Sequence, residues 1–388
     1  MKSGGVRVSA IDLSIADKAT VSEPRASKLL GLELVRFTCA MAVLVWHYHH
    51  FAMVGDGAAM YGAHQPLELL LYPFYHFGLF GVQVFWCISG FIFYWKYADA
   101  LAARRVEPKR FFWLRFSRLY PLHFATLLLV AALQPIYAAL TGHPFVFADN
   151  SASRFLLQLF LADQWAGSHA MSFNGPIWSV SAEVFVYVGF FLLLRSFGKT
   201  PWLIVGAVAA GLASLWSGAI SPALICGGYF FAGGAAAQWL GNERTRYRPR
   251  EARWLALAIV VACGAAAPFL DLGREDSDFL ATWLMVLVPP VLFLAAQDWR
   301  WLERYQTQIQ AAGNLTYSTY LIHFPLQLAV AIVALASGIV LPVGEAWFLM
   351  AYLAAAIIIG RIIFVRFEAP AQAMIRAATL TRQVRAAA

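Results

Sequence analysis

The sequence predicts an all-α integral membrane protein, a bundle of about ten transmembrane helices with both termini in the cytoplasm. Of its 388 residues, 61% are hydrophobic and only 13% are charged. Soluble domains carry about 25% charged residues, so a water-soluble enzyme is excluded. The 15% of aromatic residues are typical of a chain with many positions at the membrane–water interface.

A helix needs about 20 mostly apolar residues to cross the hydrocarbon core of a bilayer. Residues 1–28 are polar and predict a disordered cytoplasmic tail, followed by a ten-helix domain at 29–368 and a second cytoplasmic tail at 369–388. The apolar stretch 155–162 is too short to cross, so we expect a surface or re-entrant helix there. The ten predicted spans lie at about 30–53, 73–97, 117–140, 177–197, 201–218, 220–240, 253–270, 279–297, 313–337 and 346–366.

The basic residues support this orientation. If every span crosses, 26 of the 29 Lys and Arg residues lie on the side of the N-terminus. Arg154 and Arg274 lie on the other side, and Arg36 lies within the first span. Cytoplasmic loops carry such an excess, which explains the net charge of +8 without a nucleic-acid partner. The loop at about 141–176 is therefore expected outside the cell or in the periplasm.

The chain shows no pattern of a metal site or of a disulfide framework. No CxxC pair occurs, and no cluster of His, Asp or Glu has ligand spacing. The four cysteines all lie in apolar stretches: Cys39, Cys87, Cys226 and Cys263.

Ionisable groups within membrane spans are costly and therefore mark functional candidates. Arg36 and His47 are eleven residues apart, about three helical turns, so they share a face of the first span at about 16 Å along the axis. The alternative is a snorkelling Arg36 and an interfacial His47. His49 and His50, at the outer end of the span, fit an interfacial position better.

Two further motifs lie within the second span and at the cytoplasmic edge of the third. Ser89 and Gly90 permit close helix packing. Arg115 and Arg118 lie at i and i+3, facing one side of a helix at the cytoplasmic edge. Paired guanidinium groups match phosphate oxygens, so this pair is a candidate phosphate clamp. The alternative is that Arg115 and Arg118 only contribute to the ordinary excess of basic residues on the cytoplasmic side.

Later spans carry polar residues of the same kind. Glu183 lies inside the fourth span and needs a partner or a proton, with an ion pair to Arg36 as the structural alternative. His323 and Pro325 lie within the ninth span, where a proline frees a backbone carbonyl and kinks the helix. Glu368, a single acid just beyond the tenth span, is weak support for a site.

At these residues the chain resembles the acyltransferase family 3 membrane proteins, which O-acylate glycans and other extracytoplasmic acceptors. The resemblance runs from about residue 30 to 370, and Cys87 stands where the family commonly has Leu or Val. Five segments carry it in order: Arg36 and His47; FWCISGF with Ser89 and Gly90; Arg115, Arg118, Tyr120 and Pro121; Trp178, Ser179, Ser181, Glu183 and Tyr187; Thr316, Tyr317, Ser318, Tyr320, Leu321, His323 and Pro325.

The resemblance implies transfer of an acyl group, usually acetyl, from cytoplasmic acetyl-CoA to a hydroxyl of an extracytoplasmic glycan such as exopolysaccharide or O-antigen. The location would be the inner (plasma) membrane, and no metal is implied. Many relatives carry a fused SGNH hydrolase-like domain that this chain lacks. A stand-alone enzyme, a separate periplasmic partner or a homo-oligomer is therefore expected.

The resemblance also implies roles for individual residues. His47 would act as general base, with an acyl-imidazole intermediate as the competing route. Arg36 would bind a CoA group or orient the site, and Glu183 would set the tautomer of His47 or pair with a cation. Donor-binding residues would be Arg115, Arg118, Tyr120 and Ser89. Supporting residues around the substrates would be Trp178, Ser179, Ser181, Tyr187, Tyr317, Ser318 and His323.

Two other function classes share some of these features. Ten spans with mid-span charges and a proline-broken helix also fit a transporter of solutes or lipid-linked glycans, although the chain has no internal repeat. An intramembrane protease would need a catalytic pair within the spans, and HExxH and paired Asp residues are absent.

Overall fold

The computed structural model describes residues 29–54, 65–165, 171–218, 220–269 and 278–386, with side chains up to residue 379. All regular secondary structure in these ranges is helical. Within them, nine helical segments are long and apolar enough to cross a membrane, and the apolar helix Pro201–Trp216 is shorter. These ten match the predicted spans in chain order, which confirms the all-α membrane class.

The helices are α1 Leu30–Trp46, α2 Glu68–Phe77, α3 Gly81–Ala102, α4 Pro108–Thr141, α5 Ala152–Leu159, α6 Ile177–Phe197, α7 Pro201–Trp216, α8 Pro222–Gly241, α9 Glu243–Tyr247, α10 Pro249–Ala266, α11 Asp278–Ala295, α12 Arg300–Glu303, α13 Gln306–Ser337, α14 Ala346–Ile363 and α15 Ala369–Ala386. Short 3-10 segments follow α1 (His47–Met53) and α2 (Gly78–Phe80), and a π-helical turn (Phe364–Glu368) joins α14 to α15.

The second predicted span is divided between α2 and α3. The division falls at Gly78–Phe80, where the chain passes closely over α1. A Cβ atom on Gly78 would collide with the carbonyl oxygen of Ala42. The apolar pattern alone predicts one continuous span here, because hydropathy values contain no information about a backbone contact with a neighbouring helix.

The C-terminal segment predicted as a tail forms the helix α15, which packs against α4. Arg376 Nε in α15 donates a hydrogen bond of 3.3 Å to Ser117 Oγ in α4. The predicted N-terminal tail, residues 1–28, lies outside the described residues.

Small residues let the central helices approach closely, as the sequence predicts for Gly90. A Cβ atom on Gly90 in α3 would collide with the Phe230 carbonyl of α8, and one on Gly233 in α8 with the Cys87 carbonyl of α3. The largest apolar cluster surrounds this crossing.

The segment between α4 and α6 is tied to the bundle by polar contacts, and its one described helix, α5, has eight residues, as expected for a helix that does not span. Arg154 contacts Asp149 at 3.1 Å and the buried Asp163 at 3.5 Å. Burial raises the pKa of Asp163. Gln164 N donates to Ser181 Oγ at 3.0 Å, which anchors the segment to α6.

Candidate active site

His47 lies where α1 ends, as the first residue of the 3-10 segment. Its backbone is still helical (φ −71°, ψ −5°), so it stays about three turns from Arg36. Its Nδ1 atom lies 2.8 Å from the Val43 carbonyl oxygen. Because a carbonyl only accepts, Nδ1 carries the hydrogen and Nε2 carries the lone pair in the neutral ring. Val43 therefore sets the tautomer of His47, and the expectation that Glu183 does so is wrong.

His323 in α13 meets His47 across the helix interface. The two ring centroids are 4.8 Å apart, and His323 is completely buried. Its Nδ1 atom donates to the Tyr320 carbonyl at 2.6 Å. Its Nε2 atom has no hydrogen-bond partner among the residues that the structure describes. Tertiary packing thus adds a second imidazole beside the predicted base.

Gln327 connects this pair to the rest of the 3-10 segment. Its Nε2 atom donates to the His47 carbonyl at 2.8 Å, and its Oε1 atom accepts from His50 Nδ1 at 3.0 Å. His50 is buried and contacts the rings of Phe145 and Phe147 from the segment before α5. His50 is therefore enclosed by the protein, while its expected position at the membrane interface stays a prediction.

Asn174, just before α6, is a site residue that sequence reasoning missed. It is fully buried, and its Nδ2 atom contacts Thr126 Oγ1 at 3.0 Å and the Leu321 carbonyl at 3.3 Å. Leu321 lies four residues before Pro325, which has no N–H to bond that carbonyl. Asn174 therefore supplies the missing donor beside His323. Pro325 indicates in the sequence that a carbonyl is left unbonded, but the sequence does not show which side chain donates to that carbonyl.

Arg36 forms an ion pair of 2.8 Å with Glu33, three residues earlier on α1. Glu33 packs against Gly313 of α13, where a Cβ atom would collide with the carboxylate. Sequence reasoning missed Glu33, although its i, i+3 spacing to Arg36 is a usable signal.

Glu183 faces two cations from other helices. Its carboxyl interacts with Ser89 and the Tyr187 hydroxyl, and electrostatically with Arg115 and Arg36. Its Oε1 atom is buried and has no hydrogen-bond partner in the described part of the chain. The expectation that Glu183 pairs with a cation stays a prediction, with Arg115 and Arg36 as the two cations in its electrostatic surroundings.

Arg115 and Arg118 have separate partners. Arg115 Nη2 donates to the Tyr97 hydroxyl at 2.8 Å, and its guanidinium lies over Phe93 at 4.7 Å. The Nε atom of Arg115 is buried without a partner among the described residues. The i, i+3 spacing predicts one joint clamp, but the guanidinium groups turn toward different helices.

Arg118 forms an ion pair with Glu368, a residue that the sequence alone supported only weakly as part of a functional site. Arg118 Nη1 lies 2.7 Å from Glu368 Oε1. The Ser318 hydroxyl donates to the other carboxylate oxygen, and the Arg118 guanidinium lies over the Tyr317 ring at 5.7 Å. The four residues join α4, α13 and the turn before α15.

The other predicted site residues lie around the groups of residues described above and make their own contacts. Ser179 Oγ is 2.8 Å from the Tyr320 hydroxyl, and Ser181 anchors the segment before α6. Trp178 packs edge-on against Trp86, and Tyr187 stacks on Phe93 at 4.3 Å. Tyr120 stacks on Phe116 at 4.5 Å.

A cavity of about 290 Å³ lies between α4 and the segment that follows it. None of the predicted site residues lines it; its lining residues are Ala131, Gln134, Pro135, Ala138, Pro144, Asn150 and Phe173. Within the described ranges, no group of three or more His, Cys, Asp or Glu residues is arranged to hold a metal ion.

Comparison with known proteins identifies the family. The acyltransferase 3 family model, described as an acyltransferase domain, matches residues 29–365. The chain belongs to this family. It is 28% identical over 194 residues to the acyltransferase MdmB of Streptomyces mycarofaciens, over 49% of this chain and 46% of that protein. The chain thus spans about half the length of this curated relative. No solved structure matches it. The chain is thus a membrane protein of this family, with nine helices in its described residues that are long and apolar enough to cross a bilayer.

Proposed function

We propose that this acyltransferase moves an acetyl group from cytoplasmic acetyl-CoA to a hydroxyl of a glycan on the outer side of the cell membrane, with His47 as general base. The observation that carries the proposal is the tautomer of His47. With Nδ1 bonded to the Val43 carbonyl, the Nε2 lone pair is free to take a hydroxyl proton.

The balance of charges among the arginines and glutamates of the site supports a donor whose inserted part, the pantetheine arm, is narrow and uncharged. Arg36, Arg115 and Arg118 are balanced by Glu33, Glu183 and Glu368, so the six groups together carry no net charge when ionised. The unpartnered Arg115 Nε and Glu183 Oε1 atoms are a buried donor and a buried acceptor. The amides of a pantetheine arm offer one acceptor and one donor each, which would satisfy both atoms. Tyr120 and Ser89 belong to this proposed donor side.

Basic residues outside this group of arginines and glutamates would hold the phosphates of the donor. Lys96, Arg105, Lys109 and Arg110 are exposed at the α3–α4 connection. Phosphate groups favour such cationic surfaces. Arg115 and Arg118 lie one to two turns further along α4, so the donor would pass them on its way into the bundle.

The proposed acceptor side is the end of the bundle that carries His47. The segment between α4 and α6 lies over this end, since Phe145 and Phe147 contact His50. The basic-residue bias puts that segment outside the cytoplasm. An extracytoplasmic hydroxyl would therefore approach His47 from the side opposite the donor.

The decisive experiment measures the transfer of radioactive label from [14C]acetyl-CoA to the glycan fraction of inverted membrane vesicles. The vesicles come from cells that produce both the protein and the glycan. General-base catalysis contributes about 10²–10⁴-fold, so His47→Ala should lose that much transfer at equal protein level. His49→Ala, on the same 3-10 segment, should be much milder. Normal transfer by His47→Ala would overturn the assigned base, and no transfer by the wild type would overturn the proposed reaction.

The competing acyl-imidazole route predicts a covalent intermediate on His47. Incubating the wild type with labelled acetyl-CoA, without acceptor, distinguishes the routes. A stable label on His47 would favour the intermediate, and its absence during rapid transfer would favour direct attack.

A further inference from the structure

The pairing of His47 with His323 has a consequence for the proton that leaves the acceptor hydroxyl. Both rings direct Nδ1–H to a backbone carbonyl of their own helix, Val43 at 2.8 Å and Tyr320 at 2.6 Å. In the neutral state both Nε2 atoms are therefore acceptors. Two acceptors cannot bond each other, but a proton on one of them allows a single Nε2–H···Nε2 hydrogen bond.

The surroundings favour such a bond. The ring centroids are 4.8 Å apart with the planes inclined at 47°. His323 is completely buried, and its Nε2 atom has no other partner in the part of the chain that the structure describes. The nearby histidines do not occupy it: His50 Nδ1 bonds Gln327, and His49 Nδ1 lies 2.6 Å from the Trp46 carbonyl.

We infer that His323 is a positioning residue that holds protonated His47 through its Nε2 atom during acyl transfer. The inference rests on the proposed function. The hydroxyl O–H bond breaks as its oxygen bonds to the acyl carbon, and the proton passes to His47 Nε2. The C–S bond of the thioester then breaks, and the same proton passes from His47 to the leaving thiolate. His323 donates no atom to the products.

Two amide substitutions separate this role from a structural one. In His323→Asn the side-chain NH₂ can keep the bond to the Tyr320 carbonyl, but nothing remains at the position of Nε2. In His323→Gln the longer side chain can bring an amide oxygen to the position of Nε2. A charge-assisted hydrogen bond is worth about a 10- to 100-fold effect, so His323→Asn should lower kcat by that factor with KM for acetyl-CoA within about threefold. His323→Gln should recover most of kcat.

The experiment measures kcat and KM for [14C]acetyl-CoA in the vesicle assay, with wild type, His47→Ala and both His323 variants side by side. Equal activities of the two His323 variants, or a more active His323→Asn, would overturn the inference. If wild type is inactive the proposed function fails, and if His47→Ala is active the assigned base fails.

A measurement on the wild type keeps the inference testable if both variants misfold. ¹⁵N spectra of histidine-labelled protein in lipid bilayers report the protonation of each ring. On acidification, the Nε2 resonances of His47 and His323 should move together, because one proton is shared. Independent titration of the two rings would contradict the shared bond.

Discussion

Arg118 and Glu368 lie 250 positions apart in the chain and form an ion pair of 2.7 Å. The Glu368 carboxyl is 2% exposed, whereas the Arg118 side chain is 26% exposed. The pair joins α4 to the π-helical turn before α15. An arginine of the family motif therefore contributes to the attachment of α15, beside the packing of α15 against α4.

Glu368→Gln should lower the stability of the protein by about 1–3 kcal/mol, because it removes the charged partner of Arg118 and of the Ser318 hydroxyl. The partial exposure of Arg118 keeps the cost below that of a fully buried pair. Thermal unfolding in detergent measures it. Asp99 and Lys199 form an exposed pair of the same length, 2.7 Å, so Lys199→Met should cost less than about 1 kcal/mol. Equal losses in the two variants would contradict this account.

Arg115→Gln should raise KM for acetyl-CoA by about 10- to 100-fold, because a hydrogen bond from a charged donor is worth about 1.5–3 kcal/mol. The buried Nε atom of Arg115, near Glu183, has no partner among the described residues and would donate this hydrogen bond to acetyl-CoA. The control is Arg250→Gln, a charge change at an exposed position of α10 outside the proposed donor site, which should shift KM by less than about threefold. If both variants bind acetyl-CoA equally well, Arg115 does not contact the donor.

Asn174→Ala should destabilise the protein by about 1–3 kcal/mol, since it leaves the Leu321 carbonyl buried without a donor. Pro325→Ala restores a backbone N–H that can bond the same carbonyl. The loss from Asn174→Ala should therefore be smaller in the Pro325→Ala background. Thermal unfolding of the four proteins tests this, and additive effects would show that Asn174 does not serve the Leu321 carbonyl.

Asp163→Asn should become more stable relative to wild type as the pH rises. Burial raises the pKa of Asp163 above its ordinary value of 3.8, so the folded wild type holds this proton more tightly than the unfolded chain. Its ionisation therefore costs stability as the pH rises through the raised pKa, and the Asn side chain avoids that cost. Melting temperatures of both proteins from pH 4 to 8 measure the difference, and a constant difference would argue against the raised pKa.

Cysteines at Ser151 and Arg246, both exposed positions, should differ in labelling by a membrane-impermeant maleimide. The basic-residue bias predicts that position 151 lies outside and position 246 inside. Ser151→Cys should label in intact cells, and Arg246→Cys only after permeabilisation. The unmodified chain measures background labelling from its four own cysteines. The reverse pattern would invert the proposed orientation of donor and acceptor sides.

Local pattern was sufficient for the chain order of the apolar spans and for several site positions. Hydropathy over about 20 residues identifies a span. The eleven-residue spacing of Arg36 and His47 places them about three helical turns apart, with Arg36 in α1 and His47 directly after its last residue. The family motifs identified His323 and Pro325, and the small residue Gly90 indicated a close helix crossing. These features depend on residues near each other in the chain, or on properties that a single helix carries by itself.

By itself, the sequence determined the membrane class, the order of the helices and the family. Only the tertiary structure decided which polar groups meet: His47 with His323, Arg118 with Glu368, and Asn174 with the carbonyl that Pro325 leaves unbonded. In a membrane interior, every buried charge or hydrogen-bonding group must find its partner within the protein. The partner depends on which helices are neighbours and how they are rotated, and α1, α4 and α13 are neighbours through packing across long sequence separations.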